Sequence, residues 1–369
     1  MKILYFFCGE GLGHTTRTIA AARELTKKHK VVFASYGYAK SFAESNGLEV
    51  IEVPSEVKLV GSEGALDIKK TIYATIKNAH ASTILKFRSV IKKEKPDLVI
   101  SDSFYIPAYI AHLGKIPVWM ILNQFNVGDF FKDKGLLIRL TGTTVKKFNN
   151  SSLSAMDKIL VPDFSPPFTL CEKNLENHGG KYSDKIEFIG PLVRRAKSNP
   201  KLKKHTVFVT VRGKGKKREM ILKLLRIATR LKSYKFNIIT GQGAGIFPKV
   251  KNVKLFPVVA DPIKMMSESS LVICGGGHST MMEAISLGKP ILSMPDLYQS
   301  EQQANAAQLH ELGLGAKIDY MTQEEIIEQL IIDFHSNKDA KRKLAELSML
   351  SKKLDGAKKL CEMVDKIRL

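Results

Sequence analysis

The chain has 369 residues, 44% of them hydrophobic, which is enough for two ordinary cores and more than one domain comfortably holds. No 18-residue apolar run free of charge occurs, and the sequence opens directly on a strand-like segment. Neither a transmembrane helix nor a signal peptide is expected, and the chain is placed in the cytoplasm, with peripheral attachment to the membrane face left open. The formal net charge of +22 would attract anionic lipid, a phosphorylated acceptor or nucleic acid, or it describes a solvated lysine-rich surface. Cys8, Cys171, Cys274 and Cys361 form no C-x-x-C pair or Cys/His cluster in sequence, so all four are expected to be reduced and structural.

The first element is the strand "KILYFFC", followed by "GEGLGHTTR", Gly9 to Arg17. A dinucleotide fingerprint would place a small residue where His14 stands and an acidic residue about 20 positions further on. The next strand, "KVVFAS", instead runs into Tyr36 and Gly37 without a carboxylate. What remains is a strand, a glycine turn carrying Gly11 and Gly13, and a helix whose first turn bears His14. That histidine lies at the edge where α/β sheets bind ligands, or else it only caps its helix.

Further strands read as "DLVISD", ending in Asp102, then "PVWMILN" and "KILVPD". Between the last two, residues 125–150 mix Phe125, Phe130, Phe131 and Leu136 with Lys132, Lys134, Lys146 and Lys147. Such a mixture suits an anionic membrane surface, or a covered helix with a solvated lysine face. Residues 194–204 are basic and polar with one proline and read as a linker. The strand and helix alternation then restarts with "TVFVTV", "FNIITG", "NVKLFPVV", "LVICGG" and "PILSMP". The expected architecture is α/β: two doubly wound Rossmann-like domains, 1–193 and 205–338, facing across a cleft. An amphipathic helical tail, 339–369, is expected to cross both.

The most specific stretch is "LVICGGGHSTMMEAISLGKPILSMPDLYQSEQQANA". It is a buried strand, a glycine turn and a helix whose first turn offers N–H groups together with the Ser279 and Thr280 hydroxyls, an anion site by construction. Glu283 is about one turn further on, placed to accept from ribose hydroxyls. Gly288 stops the helix, and a polar loop, Ser300 to Gln303, is expected at the same edge.

This stretch resembles the donor-binding signature of GT-B glycosyltransferases, both the UDP-glucuronosyltransferase type and the bacterial enzymes that add N-acetylglucosamine to the undecaprenyl-linked peptidoglycan precursor. The resemblance implies a UDP-sugar donor. It assigns the diphosphate to Gly276, Gly277, His278, Ser279 and Thr280, ribose to Glu283, and donor-sugar hydroxyls to Glu301 and Gln302 before Asn305. It extends to "TVFVTVRGKGKK", where Arg212, Gly213, Lys214 and Gly215 would approach the phosphates, and to "LFPVVADP", where Val258 and Val259 would contact the base. In the N-terminal half it assigns Gly11 and Gly13 to the glycine loop and Asp102 to orienting His14; separately, Gln124, Phe130 and Phe131, at and beside the mixed apolar and basic stretch, are the acceptor-contact candidates. Two departures stand out: Gly275 replaces a histidine of the glucuronosyltransferase signature, and Glu301 stands where aspartate is usual.

Transfer with inversion needs a base for the acceptor hydroxyl and stabilisation of the departing diphosphate. His14 with Asp102 is the candidate for the first, and the helix N-terminus with the basic loop for the second. No D-x-D ends a strand, so no metal and no cofactor is expected. The acceptor is read as a hydroxyl compound, with a lipid or lipid phosphate suggested by residues 125–147. Two rivals remain at this level. One is a nucleotide-sugar hydrolase, since the enzyme of pseudaminic acid synthesis shares the G-x-G-H-x-x-R start. The other is a basic nucleic-acid or membrane-binding module, against which stands the lack of any RRM, KH or C2H2 signature. Nucleic acid is not expected as a partner.

Overall fold

The structure is a computed structural model that describes residues 1–58, 60–62, 65–78, 80–125, 136–176, 182–196, 202–211, 215–259 and 261–367. The chain divides into two compact units. Unit 1 comprises Met1–Val60, Asp67–Arg194 and Leu354–Leu369, and unit 2 comprises Gly61–Leu66 and Arg195–Lys353.

In chain order, the first part gives β1 (Lys2–Phe7), α1 (Leu12–Leu25), β2 (Lys30–Ser35), α2 (Gly37–Ser45), β3 (Val50–Glu52) and the two-residue strands β4 (Gly61–Ser62) and β5 (Ala65–Leu66). There follow α3 (Ile68–Asn78), α4 (Ala81–Glu94), β6 (Leu98–Asp102), α5 (Tyr105–Leu113), β7 (Val118–Ile121), α6 (Leu136–Ala155), β8 (Lys158–Val161), α7 (Glu172–Leu175) and β9 (Ile186–Phe188). The second part gives β10 (Thr206–Thr210), α8 (Lys216–Arg230), β11 (Lys235–Ile239), β12 (Val253–Phe256), α9 (Ile263–Glu268), β13 (Leu271–Cys274), α10 (His278–Ser286) and β14 (Ile291–Ser293). It ends with α11 (Ser300–Glu311), β15 (Gly315–Lys317), α12 (Glu324–Ser336), α13 (Lys338–Lys353) and α14 (Gly356–Asp365).

Among the described residues, unit 1 has a parallel sheet in the order β3-β2-β1-β6-β7-β8-β9. Unit 2 has one in the order β12-β11-β10-β13-β14-β15, also parallel. In both, the chain starts in the middle, winds one way for three strands and then returns to the other side. The strand order therefore reverses between β1 and β6 in unit 1 and between β10 and β13 in unit 2. The loops leaving these strands diverge there, which opens a crevice at the carboxyl edge where doubly wound sheets bind ligands.

The central strand β1 is apolar on both faces because helices cover both. Ile3, Tyr5 and Phe7 join one core with Ala20, Ala21 and Leu25 of α1 and Leu360 and Val364 of α14. Leu4 and Phe6 join another with Phe87 of α4 and Ala108 of α5. Unit 2 has its own core, in which Val207 and Val209 of β10 meet Ile221, Leu224 and Leu225 of α8 and Ile327 and Ile331 of α12. Phe125, grouped in sequence with the surface stretch 125–150, is instead buried in unit 1, its ring 5.7 Å from that of Tyr182. Lys146 and Lys147 of α6 are exposed.

The tail expected as one crossing helix is two. Asp355, with φ −70° and ψ 103°, leaves the helical region and caps α14 by accepting from the backbone N–H of Ala357 and Lys358. The α13 segment belongs to unit 2, where the Ser348 hydroxyl donates to the Ser286 carbonyl at 2.8 Å. The α14 segment belongs to unit 1 and packs on α1, where Arg23 Nη2 reaches Asp355 at 3.3 Å. Replacing Asp355 with Ala should therefore destabilise unit 1 by about 1 kcal/mol, the usual worth of an N-cap side chain. Chemical denaturation would read this as a lower midpoint, and an unchanged midpoint would show that the cap contributes nothing.

Candidate active site

The glycine turn after β1 exists to start α1 abruptly. Its N-cap is Gly11, with φ 85° and ψ 164°, a conformation open to glycine and strained for any other residue. His14 is the third residue of α1, and its ring is turned away from the helix end toward the strand edge. Its Nδ1 lies 2.8 Å from Asp102 Oδ1, so the reading of His14 as a mere helix cap does not describe the geometry. Asp102 ends β6, opposite Phe7 of β1 in register. The pair thus flanks the point where the unit 1 sheet reverses. The His14 side chain is 23% exposed, whereas that of Asp102 is fully buried.

A buried carboxylate is costly unless paired. Here the partner is Arg17, one helical turn after His14 and on the same face. Arg17 Nε donates to Asp102 Oδ2 at 3.0 Å and Nη2 to Oδ1 at 2.5 Å. Its Nη1 donates to Asn123 Oδ1 at 2.7 Å, just past the end of β7. Burial would push the Asp102 pKa up, but the Arg17 charge and then His14 outweigh it and hold the carboxyl below its usual range. Arg17 Nη2 also lies 2.8 Å from His14 Nδ1. Since guanidinium only donates, a ring accepting that bond would carry its proton on Nε2. A ring donating to Asp102 would leave Nε2 as the acceptor.

Arg17 and Asn123 were not among the residues singled out from sequence. The signal for Arg17 was present, an arginine three positions after the histidine; Asn123 had none. Gln124 is half-buried beside Asn123. Phe130 and Phe131 lie outside the described residues.

The same edge holds a second carboxylate absent from the sequence reading. Glu56, beyond β3, accepts from the backbone N–H of Tyr105 and Ile106 at 3.0 and 2.7 Å and so caps α5, the helix that follows Asp102. Burial pushes its pKa up from 4.5 to about 7, against the lowering effect of those two N–H groups. Burial likewise pushes the Cys8 and Cys274 thiols up to about 12, in keeping with inert structural cysteines.

In unit 2 the turn Gly275–Gly277 leads from β13 into α10, whose N-cap is Gly277. His278, Ser279 and Glu283 are buried on α10, and Thr280 is half-buried. The residues Ser300 to Gln303, expected as a polar loop, form the first turn of α11 and press against the glycine turn. A Cβ on Gly276 would stand 2.4 Å from the Gln302 carbonyl oxygen, so only glycine permits this approach. Asn305 Nδ2 donates to the Gly276 carbonyl at 2.9 Å and ties α11 to the turn. The structure therefore brings Gly276, Gly277, Ser279, Gln302 and Asn305 together at the reversal point of the unit 2 sheet.

Gln302 is itself held. Its Oε1 accepts from the Asp296 backbone N–H at 2.9 Å, and its Nε2 donates to Gln299 Oε1. Glu301, beside it in the first turn of α11, is half-buried. Asp296 is 2% exposed and lies 3.5 Å from Lys217 Nζ at the start of α8. Sequence reasoning missed Asp296 and Lys217 because nothing in the spacing links residues 79 positions apart. Gly215 is the N-cap of α8, with φ 58°. Val258 and Val259 follow the end of β12, exposed and half-buried. Arg212, Gly213 and Lys214 lie outside the described residues.

Two doubly wound sheets, each with polar groups gathered at its reversal point, define the class of GT-B glycosyltransferases, and the comparisons agree. Residues 1–176 match the family model described as Glycosyl transferase family 1, and residues 193–360 match Glycosyltransferase family 28 C-terminal domain. An uncharacterized glycosyltransferase of Methanosarcina mazei is 40% identical over 99% of this chain and 98% of its own length. The chain belongs to the glycosyltransferases. It is 24% identical, over 86% of its length and 77% of the relative's, to a Clostridioides difficile enzyme named UDP-N-acetylglucosamine--N-acetylmuramyl-(pentapeptide) pyrophosphoryl-undecaprenol N-acetylglucosamine transferase. In fold it is similar to the crystal structure of the glycotransferase of kitacinnamycin, with a TM-score of 0.74, 16% identity, and coverage of 99% of this chain and 98% of the other. Among the described residues no helix is long and apolar enough to cross a membrane.

The Glu56 carboxyl yields a pH prediction. Its folded pKa lies above its unfolded value, so the folded state retains a proton that the unfolded state has already lost, and stability falls as pH rises from 4.5 to about 7. Glu56→Gln should remove that fall, which is on the order of a few kcal/mol. Denaturation midpoints of both proteins across this window check it, and parallel curves would refute the assignment.

Proposed function

We propose that this glycosyltransferase moves a sugar from a UDP-sugar to an acceptor hydroxyl with inversion at the anomeric carbon and without a catalytic metal. The observation that carries the reading is the 2.8 Å contact of His14 Nδ1 with the buried Asp102 carboxylate. A carboxylate in that place favours the tautomer with the proton on Nδ1, which leaves the Nε2 lone pair to act as a base. The acceptor oxygen attacks the anomeric carbon as Nε2 takes its proton. The bond from that carbon to the diphosphate oxygen breaks, and UDP departs with the electron pair. Asp102 stays ionised throughout, and Arg17 keeps it so.

Unit 2 binds the donor in this reading. The N-terminus of α10 faces the diphosphate with its N–H groups and dipole, together with the Ser279 and Thr280 hydroxyls. Glu283 takes the ribose, and Glu301 and Gln302 take the sugar hydroxyls. Arg212 to Gly215 and Val258–Val259 keep the phosphate and base roles that the family resemblance gives them. Support for a UDP-sugar and for a lipid-linked acceptor comes from the match to Glycosyltransferase family 28 C-terminal domain and from the printed activity of the Clostridioides relative. The basic surface suits an acceptor presented at an anionic membrane.

His14→Ala should leave donor binding unchanged and lower turnover by roughly 10²- to 10⁴-fold, the usual contribution of a positioned base. Asp102→Asn should also lower turnover, through loss of tautomer control. Near-wild-type turnover of the folded His14→Ala protein would remove the catalytic assignment, and release of free sugar in the absence of acceptor would make the chain a hydrolase.

Glu283→Ala should weaken UDP and UDP-sugar alike, because both carry the ribose. The loss is about 1.5–3 kcal/mol for a bond to a charged group. Calorimetric titration of UDP into the folded variant checks this, and an unchanged affinity would place the ribose elsewhere.

A further inference from the structure

The sequence keeps Cys361 far from His29, but the fold does not. The α14 helix carries Cys361 and Asp365 four positions apart, hence on one face. That face lies against the turn after α1, where the His29 backbone N–H donates to the Leu25 carbonyl at 2.9 Å. One ligand atom each from His29, Cys361 and Asp365 lie within 4.8 Å of one another. We propose that these three side chains bind one Zn2+ ion, with water as the fourth ligand, and that the ion fastens the last helix of unit 1 to the end of α1.

The histidine is the telling residue. Its side chain is only 6% exposed, and its Nδ1 has no hydrogen-bond partner. Buried polar atoms in that condition call for a partner. Nε2 stands 3.1 Å from Asp365 Oδ1 and pairs with it. Two atoms that share a tetrahedral zinc at about 2.0–2.2 Å each are separated by roughly 3.3 Å, so an ion needs only a small widening of this pair.

The other two residues fit the same role. Lys28 Nζ takes Asp365 Oδ2 at 2.7 Å and leaves Oδ1 for the ion. Asp365 is 32% exposed, which gives the ion a way in and a place for water. Cys361 is 5% exposed, with its Sγ 3.7 Å from the Glu24 carbonyl oxygen. A thiolate and a carboxylate neutralise the charge of the ion, and the thiolate with imidazole selects zinc over magnesium or calcium.

Zinc binds the thiolate, so the Cys361 proton leaves to solvent as the ion enters. The remaining charged groups facing the cluster are Lys28, Glu24, Glu362 and the chain's amino terminus.

The test is titration of the chelator-treated full-length protein with Co2+. One equivalent should give a thiolate-to-cobalt charge-transfer band and the visible bands of a four-coordinate ion, and Zn2+ should bleach both. Cys361→Ser should abolish the charge-transfer band, and Cys171→Ser should keep it. Asp365→Asn, a change at a partly exposed position, should weaken Zn2+ binding at least about tenfold, and Zn2+ should raise the melting temperature of the wild type more than that of either ligand variant. Absence of the band from the wild type, or its survival in Cys361→Ser, would overturn the proposal.

Discussion

The carboxylate of Asp102 is the constraint around which the rest of unit 1 is arranged. It is fully buried at the end of a central strand, where an unpaired charge would cost several kcal/mol. Arg17 supplies the opposite charge in a two-bond clamp. To reach Asp102, Arg17 must leave α1 one turn after His14, and α1 must therefore start directly from β1 through the glycine turn. Once α1 is fixed in this way, the His14 imidazole has the same carboxylate within 2.8 Å. One charge thus sets the helix start, the arginine and the histidine together, and Asn123 completes the set by holding the far side of the guanidinium.

The topology explains why the polar groups gather where they do. Each sheet begins in its centre and reverses once, so each has one place where neighbouring loops diverge. In unit 1 the loops leaving β1 and β6 carry the glycine turn and Asp102. In unit 2 those leaving β10 and β13 carry Gly215 and Gly275–Gly277. The loops leaving β1, β10 and β13 are rich in glycine, β6 ends in the charged Asp102, and the strands beneath them are largely apolar. Apolar strands fix the sheets, and the only backbone left to present chemistry is at their ends.

That division decides how much was legible. The strands and most helices follow from apolar runs and their spacing, whereas the His14–Asp102 pair and the Gly276–Asn305 neighbourhood were expected from the resemblance to GT-B glycosyltransferases. What escaped depends on contacts between distant segments. Ser300–Gln303 looked like a loop because it is polar throughout; it is helical because α11 closes on Gly276, where Asn305 donates to the carbonyl. Phe125 looked like part of a surface stretch because its neighbours in sequence are mixed, yet its ring belongs to a core shared with Tyr182. The tail read as one helix because Leu354 and Asp355 interrupt its periodicity by only two residues. Asp355 nevertheless ends the helical conformation and begins a new one with its own cap.

The buried groups that sequence did not announce share one physical cause. Arg17 to Asp102, Glu56 to the start of α5, and Lys217 to Asp296 are each a charge paired with a group far along the chain. No periodicity records such a pair, because the pattern of apolar residues specifies which face is inside and says nothing of which polar group is met there. Burial then converts each pairing into a requirement, since a charge without its partner is far more costly inside than at the surface. His29 stands apart from these three. Its side chain is 6% exposed, its Nδ1 has no hydrogen-bond partner, and its Nε2 meets Asp365 at 3.1 Å. Its neighbours are a thiol and a carboxylate, and the proposed ion would satisfy all three groups together.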